Sequence, residues 1–148
     1  MDNRLKILVI HGPNINLLGT REPGIYGNLT LEEVDSEIKK FASDCDIDIS
    51  IYQSNHEGDI IDVIQKKRDY NGLVINPAAY THTSVAIYDA LIACEIPAVE
   101  VHISNIHGRE SFRKTSLIAP ACVGQISGFG YYSYILGIHA IINHIKNS

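Results

Sequence analysis

The chain has 148 residues, 45% of them hydrophobic and 20% charged, with a formal net charge of −5 and a pI near 5.7. That length suits one domain with a substantial core, and an acidic balance without a basic stripe argues against nucleic acid as a partner. No apolar run approaches membrane-spanning length, and Met1-Asp2-Asn3-Arg4 leads into strand-like sequence rather than a signal peptide. The cysteines Cys45, Cys94 and Cys122 are odd in number and far apart, which predicts buried free thiols in a reducing cytoplasm. With no repeat, low-complexity tract or linker, the expectation is a single domain over residues 1–148.

The first apolar run, Ile7-Leu8-Val9-Ile10, reads as a buried strand. Residues 11–27 follow it and contain four glycines, two prolines, Arg21 and Tyr26. Loops in α/β units usually take roughly two to six residues, and longer ones are mostly functional or disordered. Here the residue types favour function. Thr30-Leu31-Glu32-Glu33 has the form of a capping box, and Leu29 and Val34 stand where a hydrophobic staple sits. Leu31, Val34, Ile38 and Phe41 then supply one helical face.

Ile47-Asp48-Ile49-Ser50-Ile51 alternates like a strand at a sheet edge. Ser54-Asn55-His56-Glu57 predicts a second capping box, with Ile60, Ile61 and Ile64 on its helix. Leu73-Val74-Ile75 reads as a short central strand ended by Asn76-Pro77. A third helix is expected from about Thr83, carrying Val85, Tyr88, Leu91 and Ile92 inward. Pro97-Ala98-Val99-Glu100-Val101-His102 is the fourth strand, with the proline tolerable only at its start. After a mixed segment over residues 103–121, Val123-Gly124-Gln125-Ile126-Ser127 makes the fifth. The last helix carries Ile135, Ile138, Ile142 and Ile145 on one stripe.

Five strands alternating with helices imply a parallel sheet covered on both faces. Right-handed crossovers then favour a flavodoxin-like, doubly wound α/β fold of strand order 2-1-3-4-5, with ligands at the carboxyl ends of the strands. Polar residues follow four of those strands, so they should converge on one rim. Glu100 and His102 lie two apart and share a face; the pair is either a general acid oriented by a carboxylate or a solvated edge pair. Asn76 and His82 suit ligand hydroxyls, whereas two of Thr81, Thr83 and Ser84 are expected to cap the helix. Backbone N–H groups of Ile103 and Ser104 would face a carboxylate if a short helix begins there. Arg109 and Arg113, one helical turn apart, either reinforce anion binding or face solvent.

Other chemistries fit poorly. His102 and His107, and His139 and His144, are five apart, which misses the i, i+4 spacing of helical metal ligands. Neither phosphate-binding glycine pattern follows the first strand. His11-Gly12-Pro13-Asn14 supplies no acidic receiver site, and only Lys114 lies near the convergent loops as a Schiff-base candidate.

The chain resembles the type II 3-dehydroquinate dehydratases (type II dehydroquinases). The likeness runs from near Lys6 to near His144, through His11-Gly-Pro-Asn-Ile-Asn-Leu-Leu-Gly19, Arg21-Glu-Pro-x-x-Tyr26-Gly27, Gln53-Ser-Asn-His-Glu-Gly58, Asn76-Pro-x-x-Tyr-Thr-His82 and Glu100-Val-His-Ile-Ser-Asn105. The resemblance implies anti elimination of water from 3-dehydroquinate to 3-dehydroshikimate through an enolate, with no cofactor and no metal. It makes Tyr26 the base. A tyrosine with a reference pKa near 10 needs nearby positive charge for that role, which gives Arg21 and Arg109 a purpose. Asn14 then matches the enolate stabiliser, and His102 oriented by Glu100 matches the general acid at the departing C1 hydroxyl. Asn76, His82, Arg113 and the Ile103 and Ser104 amides match the ring-hydroxyl and carboxylate site. Asp89 matches a residue lent to a neighbouring subunit, in a family of trimers commonly assembled into dodecamers. Residues about 19–27 read as a lid that closes over substrate. The competing reading is a non-catalytic flavodoxin-like binding module for small anionic polyols.

Overall fold

Strict alternation in the first strand sets the two layers. In the computed structural model, which describes residues 3–20 and 22–148, β1 spans Lys6–His11. Its Ile7 and Val9 enter one core and its Leu8 and Ile10 the other, because successive side chains leave a strand on opposite faces. The remaining strands are β2 (Asp48–Gln53), β3 (Gly72–Asn76), β4 (Ala98–His102) and β5 (Gly124–Ser127). All four neighbouring pairs are parallel, in the order β2-β1-β3-β4-β5. That is the flavodoxin-like arrangement, and β2 is an edge.

Besides α1 (Pro23–Tyr26), a single turn inside the long opening connection, four helices cover the sheet: α2 (Leu31–Asp44), α3 (Glu57–Lys66), α4 (Val85–Cys94) and α5 (Tyr132–Lys146). Val34, Ile38 and Ala42 of α2 pack with Tyr134, Ile138 and Ile141 of α5 over Val9, Val74 and Val101. On the opposite face, Ile60 and Ile64 of α3 and Ile87, Ala90 and Leu91 of α4 cover Ile10, Leu73 and Ile75. The predicted capping box starts α2. The Thr30 hydroxyl accepts from Glu33 N at 3.2 Å, and Glu33 Oε1 accepts from Thr30 N at 3.3 Å.

Several local expectations are corrected. Ser54 does not cap α3. His56 precedes its first residue without a side-chain cap, and the Ser54 hydroxyl instead accepts from His56 N and donates to Asp59. In α4 the buried face is Ile87, Ala90 and Leu91, while Val85 and Ile92 are exposed; a helix apolar nearly all round offers periodicity no clear face. In α5 Ile135 and Ile138 are buried as expected, but the stripe continues through Tyr134 and Ile141, with Ile142 and Ile145 only partly covered. Only Ser84 of the three hydroxyl residues caps α4, accepting from Ile87 N at 2.9 Å. None of the three thiols is buried as expected: Cys45 at the end of α2 is exposed and Cys94 and Cys122 are half-buried, although all three are free.

Candidate active site

The strand register aligns the carboxyl ends of the sheet. His11 lies opposite both Gln53 and Asn76, and His102 opposite Ser127. Beyond this row the loops close around a cavity of about 220 Å³. Nine of the expected residues line it: Asn14, Tyr26, Asn76, His82, His102, Ile103, Ser104, Arg109 and Arg113. Glu100 stands directly behind His102. Asp89 is exposed on α4 and does not line the cavity. Arg21 lies outside the described residues.

The loop after β1 is held close to β3. Gly12 N donates to Asn76 O at 2.7 Å, and a Cβ at Gly12 would sit 2.6 Å from Pro77 O. Asn14 then takes a left-handed conformation, φ 69°, which asparagine tolerates better than most residues. Its backbone N–H donates to Asn55 Oδ1 at 3.0 Å, and Gln53 Nε2 donates to the same oxygen and to Gly12 O. The motif over residues 53–55 thus anchors the loop that presents Asn14. Ala78, another lining residue, is also left-handed at φ 52°. Such strain concentrates at functional sites.

Glu100 and His102 are both almost fully buried, and His102 Nε2 lies 2.6 Å from Glu100 Oε2. The solvated edge pair is therefore ruled out. Burial alone would raise the Glu100 carboxyl. Hydrogen bonds from His102, Ser116 and Gln125 outweigh it and hold the group below its ordinary value. Ser116 and Gln125 were not expected from sequence. Gln125 is the direct cross-strand neighbour of Glu100, so the β4–β5 register would have revealed it; Ser116 lies in an irregular segment with no period to read.

The cavity carries positive charge. Arg109 Cζ lies 5.1 Å from the Tyr26 ring centroid, within cation–π range, and Arg109 NH1 donates to Ser104 Oγ at 3.2 Å. Arg113 Nε donates to Glu110, whose carboxyl is held below its usual range chiefly by that bond. The two arginines do not share a helical turn. Arg109 is extended and Arg113 ends a separate 3-10 turn, yet both face the cavity. The short helix expected at Ile103 and Ser104 begins later, at Ile106. His82 Nδ1 lies 2.8 Å from Thr115 O and donates to that carbonyl, which only accepts.

The sequence model described as Dehydroquinase class II matches residues 5–142. The chain belongs to this family. It is 57% identical to a 3-dehydroquinate dehydratase of Geotalea daltonii over 96% of this chain and 99% of that one. A 3-dehydroquinate dehydratase of Acaryochloris marina is 58% identical, with 97% of each chain covered. A crystal structure of type II dehydroquinase from Butyrivibrio crossotus superposes with a TM-score of 0.93 at 48% identity, covering 94% of this chain and 98% of that one. For a class II dehydroquinase the five-stranded parallel sheet in this order is the expected scaffold.

Proposed function

We propose that this chain is a hydro-lyase that converts 3-dehydroquinate to 3-dehydroshikimate by anti elimination through an enolate. Family membership supports the reaction. The observation that carries the site assignment is one cavity bounded by a tyrosine under a guanidinium and by a histidine on a buried carboxylate. In this reading Tyr26 removes the proton beside the ketone, with Arg109 and Arg21 supplying positive charge. Asn14 stabilises the enolate oxygen. His102, held by Glu100, protonates the departing C1 hydroxyl. Asn76 and His82 bind ring hydroxyls, while Arg113, Ile103 and Ser104 bind the carboxylate. Charge balances without a metal or cofactor: one proton leaves carbon, one reaches the leaving oxygen, and water departs.

Residues about 19–27 act as the lid, with Tyr26 on the single turn of α1. The whole chain works as one catalytic domain in the cytoplasm, and copies assemble as trimers within a dodecamer. Exposed Val85 and Ile92 flank Asp89 on α4, an apolar surface suited to a neighbouring subunit that receives Asp89.

Mixing the protein with 3-dehydroquinate should raise the absorbance of the conjugated enone product, and a flat trace from folded protein would sink the lyase reading. Borohydride added with substrate should leave activity intact. A trapped lysine adduct would replace the enolate route with an imine.

A further inference from the structure

Behind the cavity wall, a row of buried polar groups leads to Asn76. His11 and Tyr134 are fully buried and Asn76 nearly so. His11 Nε2 lies 2.7 Å from Asp35 Oδ1, and its Nδ1 lies 2.7 Å from the Tyr134 hydroxyl. Asn76 Nδ2 donates to that hydroxyl at 2.9 Å. Asp35 is the end nearest solvent, with its side chain 25% exposed.

Proton counting gives the row one direction. An ionised carboxylate only accepts, so a ring proton of His11 sits on Nε2. A second one on Nδ1 would set two donors against the Tyr134 hydroxyl and leave its own hydrogen without an acceptor. Nδ1 then accepts, and the Tyr134 hydroxyl donates to it. Burial pushes the Tyr134 phenol well above its ordinary value, so its proton stays in place. The phenol oxygen is left to accept from Asn76. On the other side of the amide, Ala78 N donates to Asn76 Oδ1 at 3.0 Å. Both ends of the Asn76 side chain are thereby assigned. One Nδ2–H remains for the cavity that Asn76 lines.

We propose that Asp35, His11 and Tyr134 are positioning residues whose one-directional hydrogen-bond chain fixes Asn76 as a donor to a substrate hydroxyl oxygen. The proposal rests on the dehydratase reading for the identity of that substrate. Its geometry stands independently. The plain alternative is that these atoms merely satisfy one another in the core, in which case their loss affects stability and leaves substrate affinity alone.

Two variants and one spectroscopic measurement separate these. Nitrogen-15 shifts of the His11 ring should report the Nε2–H tautomer in the unaltered protein and a rise of the Nδ1–H tautomer in Asp35→Ala. Tyr134→Phe keeps the ring and removes the hydroxyl. Both variants should raise KM for 3-dehydroquinate about tenfold, one hydrogen bond's worth, with kcat changed less than threefold. An Nδ1–H tautomer in the unaltered protein, or an unchanged KM in both folded variants, would overturn the proposal. Absence of turnover in the unaltered protein would instead count against the dehydratase reading, and the tautomer measurement would still decide the direction of the chain.

Discussion

At the residue scale, Glu100 is a buried carboxylate held by three side chains. Its carboxyl is fully buried yet held below the ordinary glutamate value of 4.5 by those three hydrogen-bond partners. A depressed carboxyl contributes stability that is fully present above the unfolded value and lost as pH falls through the lower folded one. Glu100→Gln should therefore destabilise by about 1–3 kcal/mol near neutral pH, the cost of mispairing buried partners. Thermal melts should show the gap narrowing below pH 4.5, and a constant gap would mean that the carboxylate is not charged in the fold. Nearby, burial and then the Glu100 charge push the Cys122 thiol up to about 12. Cys45 is exposed. A thiol reagent at neutral pH should label Cys45 first, as peptide mapping would show; equal labelling of Cys122 would contradict its raised pKa.

At the element scale, close packing decides what each helix tolerates. A Cβ at Gly137 of α5 would lie 2.8 Å from Val101 Cγ1 and 2.9 Å from Val74 Cγ1, both on fully buried valines. Valine is stiff about χ1, so neither methyl swings away cheaply. Gly137→Ala should cost about 1–3 kcal/mol through overpacking, despite gaining about 1 kcal/mol of helix propensity. Thr30→Ala removes the cap of α2 and should cost about 1 kcal/mol in denaturant melts. The same elements show what sequence could reveal. Strand order followed from alternation and handedness, and the Thr30 cap from four residues. The Ser54 box failed because its hydroxyl closed a turn with His56 N before the helix began. The face of α4 was illegible because exposed Val85 and Ile92 are as apolar as buried Ile87 and Leu91. Such residues become readable only against their packing partners.

At the scale of the whole molecule, the loops beyond β1, β3 and β4 line one cavity where nine of the expected site residues meet, while the loop beyond β2 stays outside it and only anchors Asn14 through Asn55. The convergence was legible because strand ends are fixed by short apolar runs. Ser116, Tyr134 and Asp35 were not, since they act through distant segments that only the folded chain brings together. No helix among the described residues is long and apolar enough to cross a membrane. In the proposed assembly the exposed apolar face of α4 meets a neighbouring subunit, and sedimentation should then report a trimer or a multiple of it. A monomer would remove the role given to Asp89.

Proton removal by Tyr26 is the step on which the proposed mechanism depends. Tyr26→Phe keeps the ring beneath Arg109 and deletes only the hydroxyl. With folding checked by circular dichroism and substrate-analogue binding by calorimetry, its kcat should fall by about 10²–10⁴, the contribution typical of a general base. Turnover within a few-fold of the unaltered enzyme would contradict the assignment of Tyr26 and with it the account of the cavity.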